Sequence, residues 1–249
     1  MVLCLLVLRS FKPKTKKGGQ NVVVRSIGII NPAPSSLPPC EESGWGLIIR
    51  EPWEICLPSE DDPYYTVEIA RSEKDKVASY ALRYRWYCER LHSLPPENYP
   101  DGLEIDKFDL TAVTFISKIQ GEVVGCSRLV FEVDDKFLME TGPEAYQLPA
   151  GLPRPLIAES SRLIGERVHY PQGERIHQSH YLLESSCIWS IAHGYRFWLV
   201  AAQYDFYEHL EKMRLPMRMV GERKMYHNTD TVPIIIDLRL LKAFTFGKN

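Results

Sequence analysis

The sequence predicts a three-layer α/β domain around a mixed, mostly antiparallel sheet. Predicted strands and helices do not alternate strictly, as they would in a doubly wound parallel fold. Two apolar strands meet at the dipeptide Gln120-Gly121, which is typical of a tight antiparallel hairpin. Of the 249 residues, 45% are hydrophobic and 25% are charged, which are ordinary values for a globular protein.

The domain is predicted to begin at residue 64. Residues 1–63 contain eight of the 18 prolines, basic residues up to position 40 and mainly acidic ones from 41 to 62. Because proline cannot continue a helix or a central strand, this part is predicted to be a flexible extension. Its apolar start, Met1–Leu8, precedes the basic residues, whereas in a secretory signal the basic residues come first. Peripheral attachment to a membrane through this end is the weaker alternative to a soluble protein. Residues 64–249 are predicted to form one compact α/β domain.

The first two elements follow from periodicity. Tyr64–Ala70 alternates like a half-buried strand. Ser72 can cap the next helix with Asp75 three residues later, and apolar residues then recur every three or four positions from Val77 to Leu91. A polar loop over 95–102 follows.

The remaining elements are shorter and are predicted from apolar runs and turn residues. Gly194 is a plausible residue to end the second helix. The predicted strands are Ala112–Ile119, Glu122–Phe131, Leu156–Ile164, Phe197–Ala201, Met217–Tyr226 and Val232–Leu238, and the predicted helices are Gln178–Ala192 and Tyr204–Met213.

Charge and cysteine content exclude several classes of function. Lys and Arg total 30 against 32 for Asp and Glu, so the net charge of −2 gives no field to hold a nucleic acid. No segment reaches the roughly 20 apolar residues that span a bilayer. Six scattered cysteines suit reduced thiols, so we expect a cytoplasmic protein. His169, His177 and His180 lack further ligands at metal-binding spacing, so no metal site is predicted.

Three carboxylates lie close together in the segment after the first helix. Glu104, Asp106 and Asp109 fall within six residues. Such a group raises the pKa of its own members or attracts a cation, which suits an ammonium-bearing substrate. An acidic surface loop is the alternative.

Two opposite charges interrupt the apolar strand 156–164. Glu159 and Arg162 flank Ser160 and Ser161 in this strand. Because an unpaired buried charge is costly, both need partners, either as a structural ion pair or as catalytic groups. Their side chains would lie on opposite faces of a regular strand, unless a bulge reorients one.

Four segments, in this order and spacing, resemble a known family. They are Leu82–Tyr87, Glu104–Asp109, Gly125–Leu129 and Glu159–Arg162. Together they resemble the acyl-homoserine-lactone (autoinducer) synthases. The resemblance is greater to the long-chain N-acyl amino acid synthases and the exosortase-associated acyltransferases, because Val220-Gly221, Tyr226-His227 and Val232-Pro233 fit these better. It covers residues 64–240 and implies the GNAT fold.

The resemblance also implies roles for individual residues. Glu159 is the expected general base for the acceptor amine, and backbone N–H groups at a splayed or bulged central strand would stabilise the oxyanion. Arg83 and Arg128 would organise Asp106 and Asp109, or grip an anion. Arg162 completes the implied catalytic set, whereas the implied substrate contacts are Tyr87, Glu104, Ser160 and Ser161.

The donor implied is a fatty acyl thioester on acyl carrier protein or coenzyme A, without a further cofactor. Residues 168–175 contain one glycine and a proline, unlike the phosphate-binding loop of acetyl-coenzyme A enzymes, which favours the carrier protein. Arg167 and Arg175 are then the candidates to contact its acidic face.

The predicted function is transfer of a medium or long acyl group to the α-amine of an amino acid. Autoinducer synthases usually place a tryptophan near position 93, where this chain has Ser93. A lactone synthase using S-adenosylmethionine is therefore the second hypothesis. A catalytically silent domain that binds an acyl carrier or partner protein is the third.

Overall fold

The computed structural model describes residues 65–165, 167–169, 175–212 and 214–241. The predicted extension, 1–63, lies outside the described residues, so its boundary with the domain stays a prediction.

Eight strands of the described residues form one mixed sheet. The strands are β1 (Tyr65–Ile69), β2 (Val113–Ile119), β3 (Glu122–Val130), β4 (Ile157–Ile164), β7 (Phe197–Gln203), β8 (Met217–Met219), β9 (Lys224–Tyr226) and β10 (Thr229–Asp237). The order across the sheet is β1-β2-β3-β4-β7-β10-β8, and β9 also pairs with β10. Neighbouring strands run antiparallel except β4 and β7, which are parallel. A separate two-stranded hairpin, β5 (Arg167–His169) and β6 (Arg175–His177), follows β4.

Helices cover both faces of the sheet. Helix α1 (Glu73–Tyr84) begins at Ser72, whose side chain accepts a hydrogen bond from the Asp75 backbone N–H, and it continues as a π-helical segment, Arg85–Arg90. Helices α2 (Gln178–Ala192) and α3 (Tyr204–Lys212) lie on the opposite face. Neighbouring residues of β2 show the division: Ile116 packs in the cluster beneath α1, whereas Phe115 packs with α2 and α3. These findings confirm the predicted three-layer architecture.

The predicted strand Met217–Tyr226 is wrong as a continuous element. It is divided into β8 and β9, which pair with different parts of β10. Between them, the Val220 N–H donates to the Pro233 carbonyl at 2.9 Å, but Pro233 has no N–H to return. Gly221 packs so closely there that a Cβ atom would lie 2.7 Å from the Pro233 ring.

Smaller differences concern the ends of elements. Strand β7 extends to Gln203, two residues beyond the prediction, because its last residues still pair with β10. No helix in the described ranges is long and apolar enough to cross a membrane.

Candidate active site

A bulge in the central strand β4 positions its two charged residues on one face of the sheet. Arg128 of β3 is opposite Ser161 and Cys126 is opposite Ile164, so β4 has one residue more than its partner between these pairs. Arg162 has a φ of +54°, a left-handed conformation that L-residues seldom adopt in a strand. Leu163 then packs on the α2 face and Ile164 on the α1 face, so Arg162 is the additional residue on the α1 face.

Strands β4 and β7 separate directly beyond Glu159. Their parallel pairing ends at Glu159 and Leu199, although β4 continues to Ile164 and β7 to Gln203. Backbone groups of both strands therefore face an opening that begins beside the Glu159 carboxylate. Such an opening offers N–H donors to the oxygen of a reacting carbonyl group.

The Glu159 side chain is 2% exposed and lies on the α1 face with Arg128. One of its oxygens accepts a hydrogen bond from the Met139 backbone N–H at 3.2 Å. Burial raises the pKa of Glu159 to about 7, because this hydrogen bond and the charges of Arg128 and Arg162 offset only part of the desolvation. A carboxylate with this pKa can accept a proton near neutral pH.

Beside Glu159 lies a network of three arginines and three carboxylates. Arg83 of α1 donates through Nε to Glu104 and through Nη1 and Nη2 to the two oxygens of Asp109, at 2.7 and 2.9 Å. Burial would raise the pKa of the Asp109 carboxyl, but Arg83 and Arg128 outweigh it and hold that pKa below its ordinary value.

The second arginine, Arg128, reaches the network from the sheet. Its Nη1 donates to Asp106 at 3.0 Å and to Asp109 at 2.8 Å, its Nη2 donates to Asp106 at 2.8 Å, and its Nε donates to Ser161 at 3.2 Å. Asp106 and Asp109 also cap the 3-10 turn Lys107–Leu110, accepting from the backbone N–H groups of Phe108 and Asp106 respectively. The segment 106–109 therefore presents both carboxylates in a fixed arrangement.

The third arginine, Arg162, shares Glu104 with Arg83. Its Nε and Nη2 donate to the two Glu104 oxygens at 3.1 and 2.9 Å, and its guanidinium lies 5.1 Å from the centre of the Tyr87 ring. Glu104 is fully buried; burial would raise its pKa, but Arg162 and Arg83 hold that pKa well below the ordinary value. Glu104 is thus ionised and neutralised between two cations.

Solvent reaches this network at two members. The Asp106 side chain is 21% exposed and that of Arg162 is 11% exposed, whereas those of Arg83, Glu104, Asp109 and Arg128 are at most 4% exposed. A substrate would therefore meet the network at Asp106 and Arg162.

The structure brings most of the predicted site residues together. Arg83, Glu104, Asp106, Asp109, Arg128, Ser161, Arg162 and Tyr87 join one connected set beside Glu159. Ser160 does not join it: this residue pairs with Leu129, and strand alternation places its side chain on the face covered by α2. Its contact with substrate stays a prediction.

The predicted carrier-binding residues lie in the short hairpin after β4. Arg167 is paired with His177, and Arg175 with His169. Their side chains, and residues 170–174 between the strands, lie outside the described part, so their role stays a prediction.

Sequence reasoning missed two neighbours of Glu159. Met139 contributes only its backbone N–H, which no sequence pattern reveals. Tyr226 is buried, and its pKa is raised by burial and then by the negative charge of Glu159. Its signal in the sequence is the pair His227-Asn228, two residues suited to a tight turn between β-forming segments.

Comparison with protein families identifies part of the domain. A family described as the acetyltransferase (GNAT) domain matches residues 82–164, the segment that contains the arginine–carboxylate network and Glu159. A search of curated proteins found no match.

Solved structures share the fold of most of the chain. The structure of TofI in a ternary complex with an inhibitor and MTA is 19% identical over 74% of this chain and 96% of its own, with a TM-score of 0.56. The acyl-homoserine lactone synthase LasI is 19% identical over 74% and 95%, with a TM-score of 0.54. BjaI, a coenzyme A-dependent acyl-homoserine lactone synthase solved with SAM and isopentyl-CoA, is 16% identical over 74% and 88%, also at 0.54. The chain therefore contains a GNAT acyltransferase domain and has the fold of the acyl-homoserine lactone synthases.

Proposed function

We propose that this protein transfers an acyl group from a thioester to the α-amine of S-adenosylmethionine and so makes an acyl-homoserine lactone. The observation that carries the proposal is the Glu159 carboxylate, buried, with a pKa near 7, at the point where β4 and β7 separate. The fold shared with LasI and BjaI supports this reaction above the others.

Glu159 supplies the base for the first step. It removes a proton from the acceptor's ammonium group, directly or through a water molecule, and the neutral amine attacks the thioester carbonyl. The new C–N bond forms and the C–S bond breaks. The nitrogen loses two protons on the way from ammonium to amide: the first passes from Glu159 to the departing thiolate, and the second leaves to solvent water. N–H groups along the β4–β7 opening stabilise the oxyanion in between.

The second step takes place within the acylated S-adenosylmethionine and does not involve the acyl donor. The carboxylate oxygen of the acylated S-adenosylmethionine attacks the carbon that bears the sulfonium, closing the lactone and releasing 5′-methylthioadenosine. Asp106, the most exposed carboxylate of the network, offers an electrostatic partner for the cationic acceptor before acylation.

A free amino acid is the second candidate acceptor. It would react in the same first step and give an N-acyl amino acid, the function that the sequence favoured. The specific observation for it is Ser93, which is 7% exposed and donates to the Tyr87 carbonyl at 3.2 Å. No aromatic side chain therefore stands at position 93, where lactone synthases usually place a tryptophan.

The donor is proposed to be an acyl group on acyl carrier protein, with coenzyme A as the alternative. If Arg167 and Arg175 meet the acidic face of the carrier, Arg175→Glu should lower the rate with acyl carrier protein at least about tenfold and leave that with acyl-coenzyme A unchanged. An unchanged rate with acyl carrier protein would exclude this contact.

The deciding experiment is product analysis with the purified full-length chain. The protein is incubated with S-adenosylmethionine, a mixture of amino acids and an acyl donor, either acylated acyl carrier protein or acyl-coenzyme A. The donors carry acyl groups of several chain lengths, and the products are identified by mass spectrometry. An acyl lactone together with 5′-methylthioadenosine supports the proposal, whereas an N-acyl amino acid supports the second candidate. If folded protein yields neither product, or if Glu159→Gln yields as much as the original chain, the proposed function is wrong.

A further inference from the structure

The turn between β9 and β10 lies near the arginine–carboxylate network, because the charges of Arg162 and Glu104 both act on the His227 ring. His227 and Asn228 form this two-residue turn, with φ values of +49° and +55°. Both are left-handed, as a type I′ turn requires, and histidine and asparagine accept this conformation better than most residues. The turn therefore has a defined shape that fixes where the His227 ring lies.

Contacts on both sides hold the turn in place. The His227 backbone N–H donates to the Glu144 carboxylate at 2.5 Å, and the Asn228 side-chain amide donates to the His92 carbonyl at 3.4 Å. Just before the turn, the Tyr226 ring packs on Tyr146, with 5.3 Å between ring centres. The turn is thus tied to the loop that precedes β4 and to the segment that follows the π-helical residues.

The imidazole of His227 has no polar partner in the described part of the chain. Its ring is half-buried and lies 4.2 Å from the Tyr226 ring, centre to centre. Burial, and then the charge of Arg162, lower the pKa of His227, although Glu144 and Glu104 act in the opposite direction. A neutral imidazole in this position retains one N–H that can donate a hydrogen bond.

Arg162, like His227, has a hydrogen-bond donor that no group of the described residues accepts from. Arg83 and Arg128 each use all three guanidinium nitrogens in hydrogen bonds. Arg162 uses Nε and Nη2 on Glu104, and within the described ranges its Nη1 donates to no protein group. Since Arg162 is also one of the two network members open to solvent, Nη1 can receive an acceptor atom from a ligand.

We propose that Arg162 Nη1 and the His227 imidazole together bind the carboxylate of the acceptor, which makes His227 a specificity-determining residue. The inference rests on the proposed function, because it assigns the two ends of an α-amino acid to two parts of the site. The ammonium end faces Glu159 and Asp106, and the carboxylate end faces Arg162 and His227. The two acidic groups nearby do not oppose this: Glu104 is neutralised by Arg83 and Arg162, and Glu144 is engaged by the His227 backbone.

The test measures equilibrium binding, which does not depend on turnover. S-adenosylmethionine and decarboxylated S-adenosylmethionine differ in the carboxylate, and each is titrated into the full-length chain by calorimetry. His227→Gly removes the ring and keeps a residue that tolerates a positive φ. The matched control is Asn228→Gly, which changes the next turn residue, whose side chain is exposed and contacts the His92 carbonyl.

The expected result is a loss that depends on the carboxylate. His227→Gly should weaken binding of S-adenosylmethionine at least about tenfold, as expected for one lost hydrogen bond to a charged group, and leave binding of the decarboxylated compound unchanged. Asn228→Gly should change neither. Equal weakening of both compounds by His227→Gly, equal effects of the two variants, or no discrimination by the original chain would overturn the inference.

This experiment is separable from the test of the proposed function. If product analysis identifies a free amino acid as acceptor, that amino acid and its decarboxylated amine replace the two probes. If no acyl transfer occurs while carboxylate-dependent binding through His227 is observed, the proposed reaction fails and the inference stands. If acyl transfer occurs but His227→Gly does not affect acceptor binding, the proposed reaction stands and the inference fails.

Discussion

Replacing Glu159 by glutamine should remove activity and at the same time stabilise the domain above neutral pH. Glutamine has nearly the same shape, and its side-chain carbonyl can still accept the hydrogen bond from the Met139 N–H. It cannot be ionised, so it cannot take the acceptor's proton. The variant therefore separates the catalytic use of this buried group from the cost of ionising it.

The magnitude follows from the pKa of Glu159. Burial raises this pKa from 4.5 to about 7, which corresponds to a free energy on the order of 3 kcal/mol, at about 1.4 kcal/mol for each pH unit. Below pH 4.5 the carboxyl group is protonated in both the folded and the unfolded chain, so it costs nothing. Between 4.5 and about 7 the unfolded chain loses the proton first, and the folded state is progressively destabilised.

The assay is urea unfolding of the original chain and of Glu159→Gln at several pH values from 5 to 8. The difference in unfolding free energy should be small at pH 5 and approach about 3 kcal/mol in favour of the variant at pH 8. Glu122→Gln, which changes an exposed carboxyl at the β2–β3 turn, is the matched control. Glu104 and Asp109 do not interfere, because their lowered pKa values place their titration below this range.

Activity supplies the second half of the test. The kcat/KM of the original chain should rise as Glu159 ionises and level off above pH 7, and Glu159→Gln should lower it at least about a hundredfold. A stability difference that does not change with pH would refute the assignment of a buried group titrating near neutrality. A variant with unchanged kcat/KM would refute its role as base.

Two further substitutions test the scaffold of the site. Glu104→Gln should destabilise the domain by about 3–5 kcal/mol in urea unfolding, because it leaves Arg83 and Arg162 without their shared counter-charge; a loss below 1 kcal/mol would show that the network rearranges freely. Gly165→Ala should lower the thermal midpoint and cost about 1–3 kcal/mol, since its Cβ would lie 2.6 Å from the Ser179 backbone nitrogen at the start of α2. An unchanged midpoint would mean that α2 can move away from β4 without cost.

Most of the fold was predictable because it depends on local periodicity. The three-to-four-residue recurrence after Ser72 predicted α1 and its π-helical extension as one element, and Gln120-Gly121 correctly predicted the β2–β3 hairpin. The break between β8 and β9 was not predictable in this way. It depends on Pro233 of β10, which has no N–H and therefore cannot donate a hydrogen bond to the segment between β8 and β9.

The candidate site was predictable in its residues and not in its geometry. Charges in an apolar strand, such as Glu159 and Arg162, indicate a candidate site because their burial is costly without partners. Which partners they have depends on strand register, and no single-sequence pattern contains the offset between Arg128 and Ser161. The same limit applies to Ser160, whose position on the α2 face is decided by alternation along β4.

The bulge at Arg162 links the fold of the domain to its chemistry. In a regular strand Arg162 would lie on the α2 face, a cation among apolar side chains and far from Glu104. The left-handed residue costs about 1–2 kcal/mol of backbone energy. It places the guanidinium where Glu104 neutralises it through Nε and Nη2, while Nη1 donates to no group of the described residues. Since the same short strand also carries Glu159 at the start of the β4–β7 opening, one irregular residue sets the distance between the base and the unused donor. A substitution that restores regular pairing in β4 would therefore remove one of the two arginine partners of Glu104 and the proposed contact of Arg162 with substrate, even if every side chain of the network were kept.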